Sequence, residues 1–532
     1  MLRHLALSAA LLATVTAAAQ DHAAHEGEAR GVCGTAPVDM TRLRENVARA
    51  KAGLLRARSA ETTYIPLRFK LFGRDDSSGV ASADELLNLM TAVNRDFAPL
   101  NWQFFLASEE GDVQPWEIYY NDELYLRSSD QTITLTNLRA SNAVTVFVPN
   151  DATPPSSSGL GVTLGYYSTR GDYLVFKRSE VGRNAATASH EFGHYFSLPH
   201  TFRGWDCTSW EGGTTTDEEN PVSSPVDTAF APCFNSSIAV ELVTRDPLEG
   251  NCAEAGDTFC DTPADYNLGF GDGSCDYSGP VVDANGDALD PDESNYMGYF
   301  LGCNPYHFSD EQADAMYGDF ASQRRTFLTR SQPLTLDSVS TAPVTYTEPA
   351  EGQEVSQFGD ILELAWEPVA GAQFYIAQLS TRSSFATVIE EVVVSAPQTT
   401  VTFSAVTADQ RYYYRVRPFG QTSFGATGET RSVRTGDRLS GLNGPSGAPT
   451  TSLAVFPNPV AKGGGVSLRV EGEDLGESIV TISDATGRAL SRDRLLLAGD
   501  TPLAGSEALA PGTYLVTVAS QRGLNSRRFV VR

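Results

Sequence analysis

The stretch from His190 to His200, reading HEFGHYFSLPH, constrains this chain more than any other part of it. On a helix, His190 and His194 project from one face, one turn apart, with Glu191 beside them. His200 can join them only if the helix stops in between. The fold must therefore end a helix sharply near Ser197 and return the chain to the same face. Three imidazoles gathered this way match the ligand set of a Zn²⁺ site with a neighbouring carboxylate. Such an ion leaves a fourth position for water and lowers that water's pKa toward about 7. Glu191, next to a ligand, is placed to take the water's proton and pass it to a leaving amine.

The 532 residues are too many for one ordinary domain and imply about three or four. A net charge of −27 argues against a nucleic-acid partner, because no basic patch is evident to neutralise phosphates. It suits an exported protein with a surface tolerant of Ca²⁺. Residues 1–19 read as a secretory signal: Arg3 and His4, an apolar run from Leu5 to Val15, then Ala17-Ala18-Ala19 before Gln20. The run is too short to span a bilayer, and no later stretch qualifies, so no transmembrane segment is expected. Six of the seven cysteines (Cys207, Cys233, Cys252, Cys260, Cys275 and Cys303) follow the histidine motif. In an oxidising compartment they would form three disulfides of undetermined pairing. Cys33 is left over.

Residues 20–60 are polar, helix-prone and rich in arginine. With little to bury, they read as a pro-segment. Strands are expected at Tyr64–Phe72, Trp102–Leu106, Ala143–Val148, Gly161–Tyr167 and Tyr173–Phe176. Helices are expected at Ala83–Phe97, from the spacing of Leu86, Leu87, Met90, Val93 and Phe97, and at Asn184–Phe196. This order predicts an α+β domain over 61–332: a mixed, twisted sheet with two long helices, then an irregular subdomain and a last helix from Asp310. Residues 341–436 alternate like a β-sandwich, and Trp366 with Tyr412-Tyr413-Tyr414 resembles the aromatic core of a fibronectin type III module. Residues 437–452 read as a Gly/Ser/Pro linker and 453–532 as a second all-β module. The string Asp283-Ala284-Asn285-Gly286-Asp287, with Asp290, Asp292 and Glu293, lacks the EF-hand positions and reads as a solvated acidic loop.

The spacing H-E-x-x-H-x-x-(G)-x-x-H with a later methionine resembles the metzincin clan of metalloproteases. The continuation His200-Thr201-Phe202 resembles its pappalysin family, in the ulilysin- and mirolysin-like branch. Three further segments support the likeness: Gly256-Asp257 through Asp261-Thr262-Pro263, Asn295-Tyr296-Met297-Gly298-Tyr299, and Cys303 through Phe308-Ser309-Asp310-Glu311-Gln312. The resemblance covers roughly residues 61–330. It implies a zinc endopeptidase acting on proteins or peptides, with His190, His194 and His200 as ligands and Glu191 as base. Met297 would form an apolar floor under the metal, and Tyr299 would stabilise the tetrahedral oxyanion. Asp257 and Thr262 would bind a structural Ca²⁺, and residues 159–167 would supply the edge strand that pairs with substrate. Two residues depart from the pattern. Ser197 stands where the family has Gly, at a cost of about 1 kcal/mol if that turn is left-handed. Gly298 stands where Asp is common.

Cys33, in the run Arg30-Gly31-Val32-Cys33-Gly34-Thr35, could occupy the metal's open position and hold the precursor latent. Pappalysin-like precursors have a similar Cys-Gly-Thr. Arg56 or Arg58 would then be sites of self-cleavage. The C-terminal module, with FPNP at 456–459, PGTY at 511–514 and the ending from Arg527 to Arg532, resembles the sorting domain of the type IX secretion system. This implies the type IX machinery as partner, export across a Gram-negative outer membrane, and release or surface attachment. Two other readings stand beside the protease: a surface adhesion or matrix-binding protein on an inactive metalloprotease scaffold, and a metalloenzyme cutting another bond, such as an amide of a cell-wall peptide.

Overall fold

The computed structural model describes residues 31–36, 38–51, 62–108, 112, 114–127, 131–152, 162–182, 185–207, 231, 238–246, 248–269, 275–330, 333, 338–355, 361–436, 451–472, 475–484, 489–497, 499–520 and 523–532. The signal, Arg56, Arg58, Cys233 and residues 437–450 of the linker lie outside these.

The long strand β2 (Thr63–Gly73) organises the first sheet. It pairs in parallel with β3 (Trp102–Leu106) and β4 (Trp116–Tyr120) along one side and with β5 (Val144–Val148) along the other. Beyond β5 come β7 (Tyr173–Phe176) and the antiparallel β6 (Val162–Ser168). The sequence reading missed β4, whose residues are mostly half-buried and so lack a clean alternation. It also missed two short helices, α3 (Asp122–Arg127) and α4 (Thr132–Leu138).

Helix α2 (Ala83–Asp96) starts at a capping box. The Ser82 side chain accepts from the Glu85 N–H, and the Glu85 carboxylate accepts from the Ser82 N–H. Its Leu86, Leu87, Met90 and Val93 are buried against the sheet, at the 3.6-residue period that predicted the helix. Helix α5 (Ala185–Tyr195) carries the histidines. Phe192 lies 4.7 Å from Phe104 and Phe196 4.7 Å from Trp102, ring centre to ring centre, which anchors this helix to strand β3.

Residues 31–51 correct the expectation of a segment with little to bury. β1 (Gly31–Cys33) adds to the sheet in parallel with β6, Gly31 opposite Val162 and Cys33 opposite Gly165. Helix α1 (Met40–Lys51) then packs on α6 (Asp310–Phe320). Leu43 is fully buried in the main core, and Asn46 is buried beside it. Gly318 makes this approach possible, because a Cβ there would overlap the Asn46 backbone.

Residues 344–435 form two antiparallel-rich sheets. The first holds β8 (Tyr346–Glu348), β10 (Leu362–Trp366) and β13 (Thr400–Phe403). The second holds β9 (Gln353–Val355), β11 (Phe374–Ser380), β12 (Glu390–Ser395), β14 (Arg411–Phe419) and β15 (Arg431–Thr435). Trp366, Tyr412 and Tyr414 are in its core. This unit is bonded to the first. Phe374, Ile376 and Phe419 join the main core, and Phe419 stacks on Trp116 at 6.0 Å. The Ala83 N–H donates to Glu391 at 2.6 Å, and Arg417 pairs with Asp84 at 3.1 Å. Residues 451–531 form two further sheets around Leu468, Val516 and Phe529. Among the described residues, no helix is long and apolar enough to cross a membrane.

Disulfides join Cys252 to Cys260 and Cys275 to Cys303, and Cys207 is also disulfide-bonded. Cys33 is free.

Candidate metal centre and active site

Helix α5 ends as the histidine spacing requires. Ser197 adopts φ 77°, the left-handed turn, and the Leu198 N–H closes on the Gly193 carbonyl at 2.9 Å. The reversal brings His200 back to the helix face. Nε2 of His194 lies 3.1 Å from Nε2 of both His190 and His200. The opposite ring nitrogens are all committed. Nδ1 of His190 meets the Tyr296 carbonyl at 2.6 Å, Nδ1 of His194 the Leu198 carbonyl at 2.7 Å, and Nδ1 of His200 the Asp206 carboxylate at 2.7 Å. Carbonyl and carboxylate oxygens only accept, so each Nδ1 carries the proton and each Nε2 presents a lone pair.

Three lone pairs at such separations repel one another unless a cation lies among them. Burial, and secondarily the neighbouring His200, lowers the His190 pKa to about 3, and His194 is lowered well below the usual value for the same reasons. His190 and His194 are thus held neutral, the form a metal needs. The donor set therefore fits Zn²⁺. Cys33 Sγ completes a group in which all four ligand atoms lie within 4.8 Å of one another. Among the described residues, no other group of three or more His, Cys, Asp or Glu gathers this closely.

Glu191 is buried on the same helix. Its carboxylate accepts from the Thr35 hydroxyl at 2.9 Å and faces the Cys33 thiol at 3.5 Å. Desolvation raises its pKa to about 7. Burial, then the Glu191 charge, pushes the Cys33 thiol up as well. A divalent cation in the histidine cluster would pull both downward. Thr35 has a second contact, accepting the Tyr167 N–H of β6 at 2.7 Å. The Tyr299 hydroxyl accepts the Cys33 N–H at 2.9 Å, and its ring lies 5.2 Å from that of His200. Thr35, Ala36 and Val38 run along a cleft whose other wall includes His194, Pro199 and Arg203.

Met297 is fully buried beneath the helix. A Cβ at Gly193, between His190 and His194, would overlap its sulfur, so a larger residue there would have to displace the methionine. Asn295 holds this turn: its Oδ1 accepts the Met297 N–H at 2.9 Å and its amide pairs with Gln312 at 3.0 Å. The Gly298 departure therefore leaves the turn supported from Asn295. Asp206, Thr35, Asn295 and Gln312 were not singled out from the sequence for these roles. Only Gln312 carried a local signal, as N3 of the capping box that Ser309 opens.

Asp257 and Thr262 do come together, the Thr262 hydroxyl donating to Asp257 at 2.9 Å. Asp257 is fully buried near Glu241, and burial followed by mutual repulsion pushes the Glu241 carboxyl well up. Arg245 bonds Glu241 at 2.7 Å. The acidic string at 283–293 is solvent-exposed at Asn285, Asp287 and Asp290, as expected, while other members are tied into the subdomain. Asp283 is fully buried and accepts from the N–H groups of Val243, Asn285 and Asp287. Asp292 pairs with His307 at 2.9 Å, and Glu293 accepts the Tyr277 N–H.

Residues 152–245, which include all three histidines and Glu191, match the model of a peptidase family, M43, described as pregnancy-associated plasma protein-A. The matched stretch is thus similar to a family of metallopeptidases, and that likeness implies zinc and protein substrates. No curated protein matches the chain. Among solved structures, the FN1-FN3 domains of chicken CNTN1 share 14% identity over 37% of this chain and 67% of theirs, at a TM-score of 0.17. An Fn3-like protein from Clostridium thermocellum shares 22% over 20% of this chain and 95% of its own, at 0.15. These overlaps are too loose to define the fold, which rests on the strand pairing above.

Proposed function

We propose that the chain is an exported zinc endopeptidase of the pappalysin type, made as a latent precursor. The observation that carries this reading is the convergence of three Nε2 lone pairs beside the buried Glu191 carboxylate, each imidazole fixed from behind by its own acceptor. His190, His194 and His200 would hold the Zn²⁺. When bound, the ion supplies Lewis-acid polarisation of the scissile carbonyl and an acidified water. Glu191 takes that proton and delivers it to the leaving amine. Tyr299 donates its hydroxyl to the oxyanion. Met297 packs under the ligand helix and keeps the floor dry.

The precursor is held latent by its own residues. Cys33 would supply the metal's fourth ligand, Thr35 occupies both Glu191 and the Tyr167 N–H, and β1 takes the strand partner that an extended substrate would use. Asp257 and Thr262, with Glu241 beside them, would hold a structural Ca²⁺. Export through the type IX machinery, with residues 453–532 as the sorting domain, completes the proposal. The adhesion reading would be favoured by a missing ligand or base, and none is missing.

The test incubates purified precursor with denatured protein and a peptide library, with and without a zinc chelator, beside Glu191→Ala. Cleavage that the chelator abolishes and the variant lacks is expected. Cleavage by Glu191→Ala at the wild-type rate overturns the assignment. No cleavage by any form, even after removal of residues 20–60 in Ca²⁺, favours the adhesion reading.

A further inference from the structure

The left-handed turn at Ser197 disfavours any residue with a Cβ, yet the whole centre depends on it. Leu198, which fixes His194 through its carbonyl, and His200 both follow directly. What holds the turn comes from far along the chain. The Ser197 hydroxyl donates to Asp319 Oδ1 at 2.7 Å, and Arg325 Nε donates to Asp319 Oδ2 at 2.7 Å. The side chains of Asp319 and Arg325 have no exposed surface. A second guanidinium nitrogen of Arg325 bonds the Tyr195 carbonyl, one of those left open where α5 ends, and the group lies 3.8 Å from the Tyr195 ring centre. Its third donates at 2.7 Å to Asp172, which accepts the Tyr167 hydroxyl of β6 at 2.9 Å.

We propose that Asp319 and Arg325 are positioning residues for the metal centre. They clamp the Ser197 turn, set His194 and His200 relative to each other, and through Asp172 fix strand β6 in the same frame. A buried ion pair of this kind adds little net stability over a well-packed apolar pair, so its use here lies in orientation. The clamp also explains how serine serves at a position suited to glycine: the hydroxyl trades backbone strain for a bond to a fixed carboxylate. The inference rests on the reading that the three histidines bind Zn²⁺.

The test measures zinc retention in the full-length chain by competition with a chelator, and melting of the metal-free forms. Ser197→Ala and Asp319→Asn are expected to weaken zinc binding by about tenfold or more, as loss of outer-shell support does elsewhere. Ser197→Gly, which adopts positive φ without help, is expected to stay near the wild type, and Asp319→Asn is expected to cost less in that background. Melting shifts with unchanged zinc affinity in Ser197→Ala and Asp319→Asn would overturn the proposal and leave a merely structural network. If Asp319→Asn does not fold, Ser197→Ala decides alone. A wild type that takes no zinc overturns the site reading as well, and differs from the first failure because every form then reads zero.

Discussion

At the residue scale, the centre divides between side chains that meet the reacting atoms and side chains that hold them. In the proposed reaction Tyr299 belongs to the first group. In Tyr299→Phe the ring and its packing against His200 and Phe202 remain, and only the hydroxyl is lost. The activated variant is expected to lose about 100-fold in kcat with zinc content unchanged. An unaltered kcat measured on a peptide substrate would remove Tyr299 from the chemistry. Thr35 makes a sharper case, since its hydroxyl engages the base and it is not itself one of the assigned metal ligands. Thr35→Val leaves Glu191 and the Tyr167 N–H unpartnered by this hydroxyl. The intact precursor is then expected to hydrolyse peptide measurably above the wild-type precursor, though less than Cys33→Ser. His190, His194 and Glu191 were legible in sequence because their spacing is a local property of one helix, and His200 because a sharp turn at Ser197 returns it to that face. Asp206 was not, because the turn from Phe202 to Trp205 decides where it points.

At the scale of elements, the latency proposed above would depend on how α1 sits on α6. Leu43 is fully buried there, and Leu43→Ala is expected to cost about 2–4 kcal/mol of docking. Faster hydrogen exchange along α1, with exchange in β2 unchanged, checks this; equal protection in the variant contradicts it. This docking was invisible in the sequence. The segment reads as polar because only Met40, Leu43 and Val47 of α1 pack on the main core, and α6, on which the helix sits, lies about 270 residues away. The main strands and helices were legible where one face is fully buried, as in α2, and lost where burial is partial, as in β4. A pH effect belongs to this scale too. Desolvation pushes the Asp172 carboxyl up, but Arg325 and Arg324 outweigh it and hold its pKa at about 2. A lowered folded pKa stabilises the fold above the unfolded value of 3.8, and that contribution is lost as pH falls from about 4 to about 2. It amounts to about 2 kcal/mol, and denaturant midpoints should fall less steeply over that range in Asp172→Asn. Parallel acid profiles in the two proteins would contradict it.

At the scale of the whole molecule, the sandwich at 344–435 packs directly on the domain that carries the histidines. Its Glu391 caps the first turn of α2, its Arg417 pairs with Asp84, and its Phe419 shares a core with Trp116. Composition predicted a separate module because strands of a sandwich carry the same alternation whether or not one sheet leans on a neighbour. Calorimetry of residues through 436 is expected to show one cooperative transition for both units. Two resolved transitions would return the sandwich to the status of an appended arm.

X-ray absorption at the zinc edge of the purified precursor tests the central claim most directly. The account expects one zinc per chain, with three nitrogen neighbours at about 2.0–2.1 Å and one sulfur at about 2.3 Å. Zinc surrounded by nitrogen and oxygen alone would contradict the Cys33 block. An absence of zinc would contradict the centre itself.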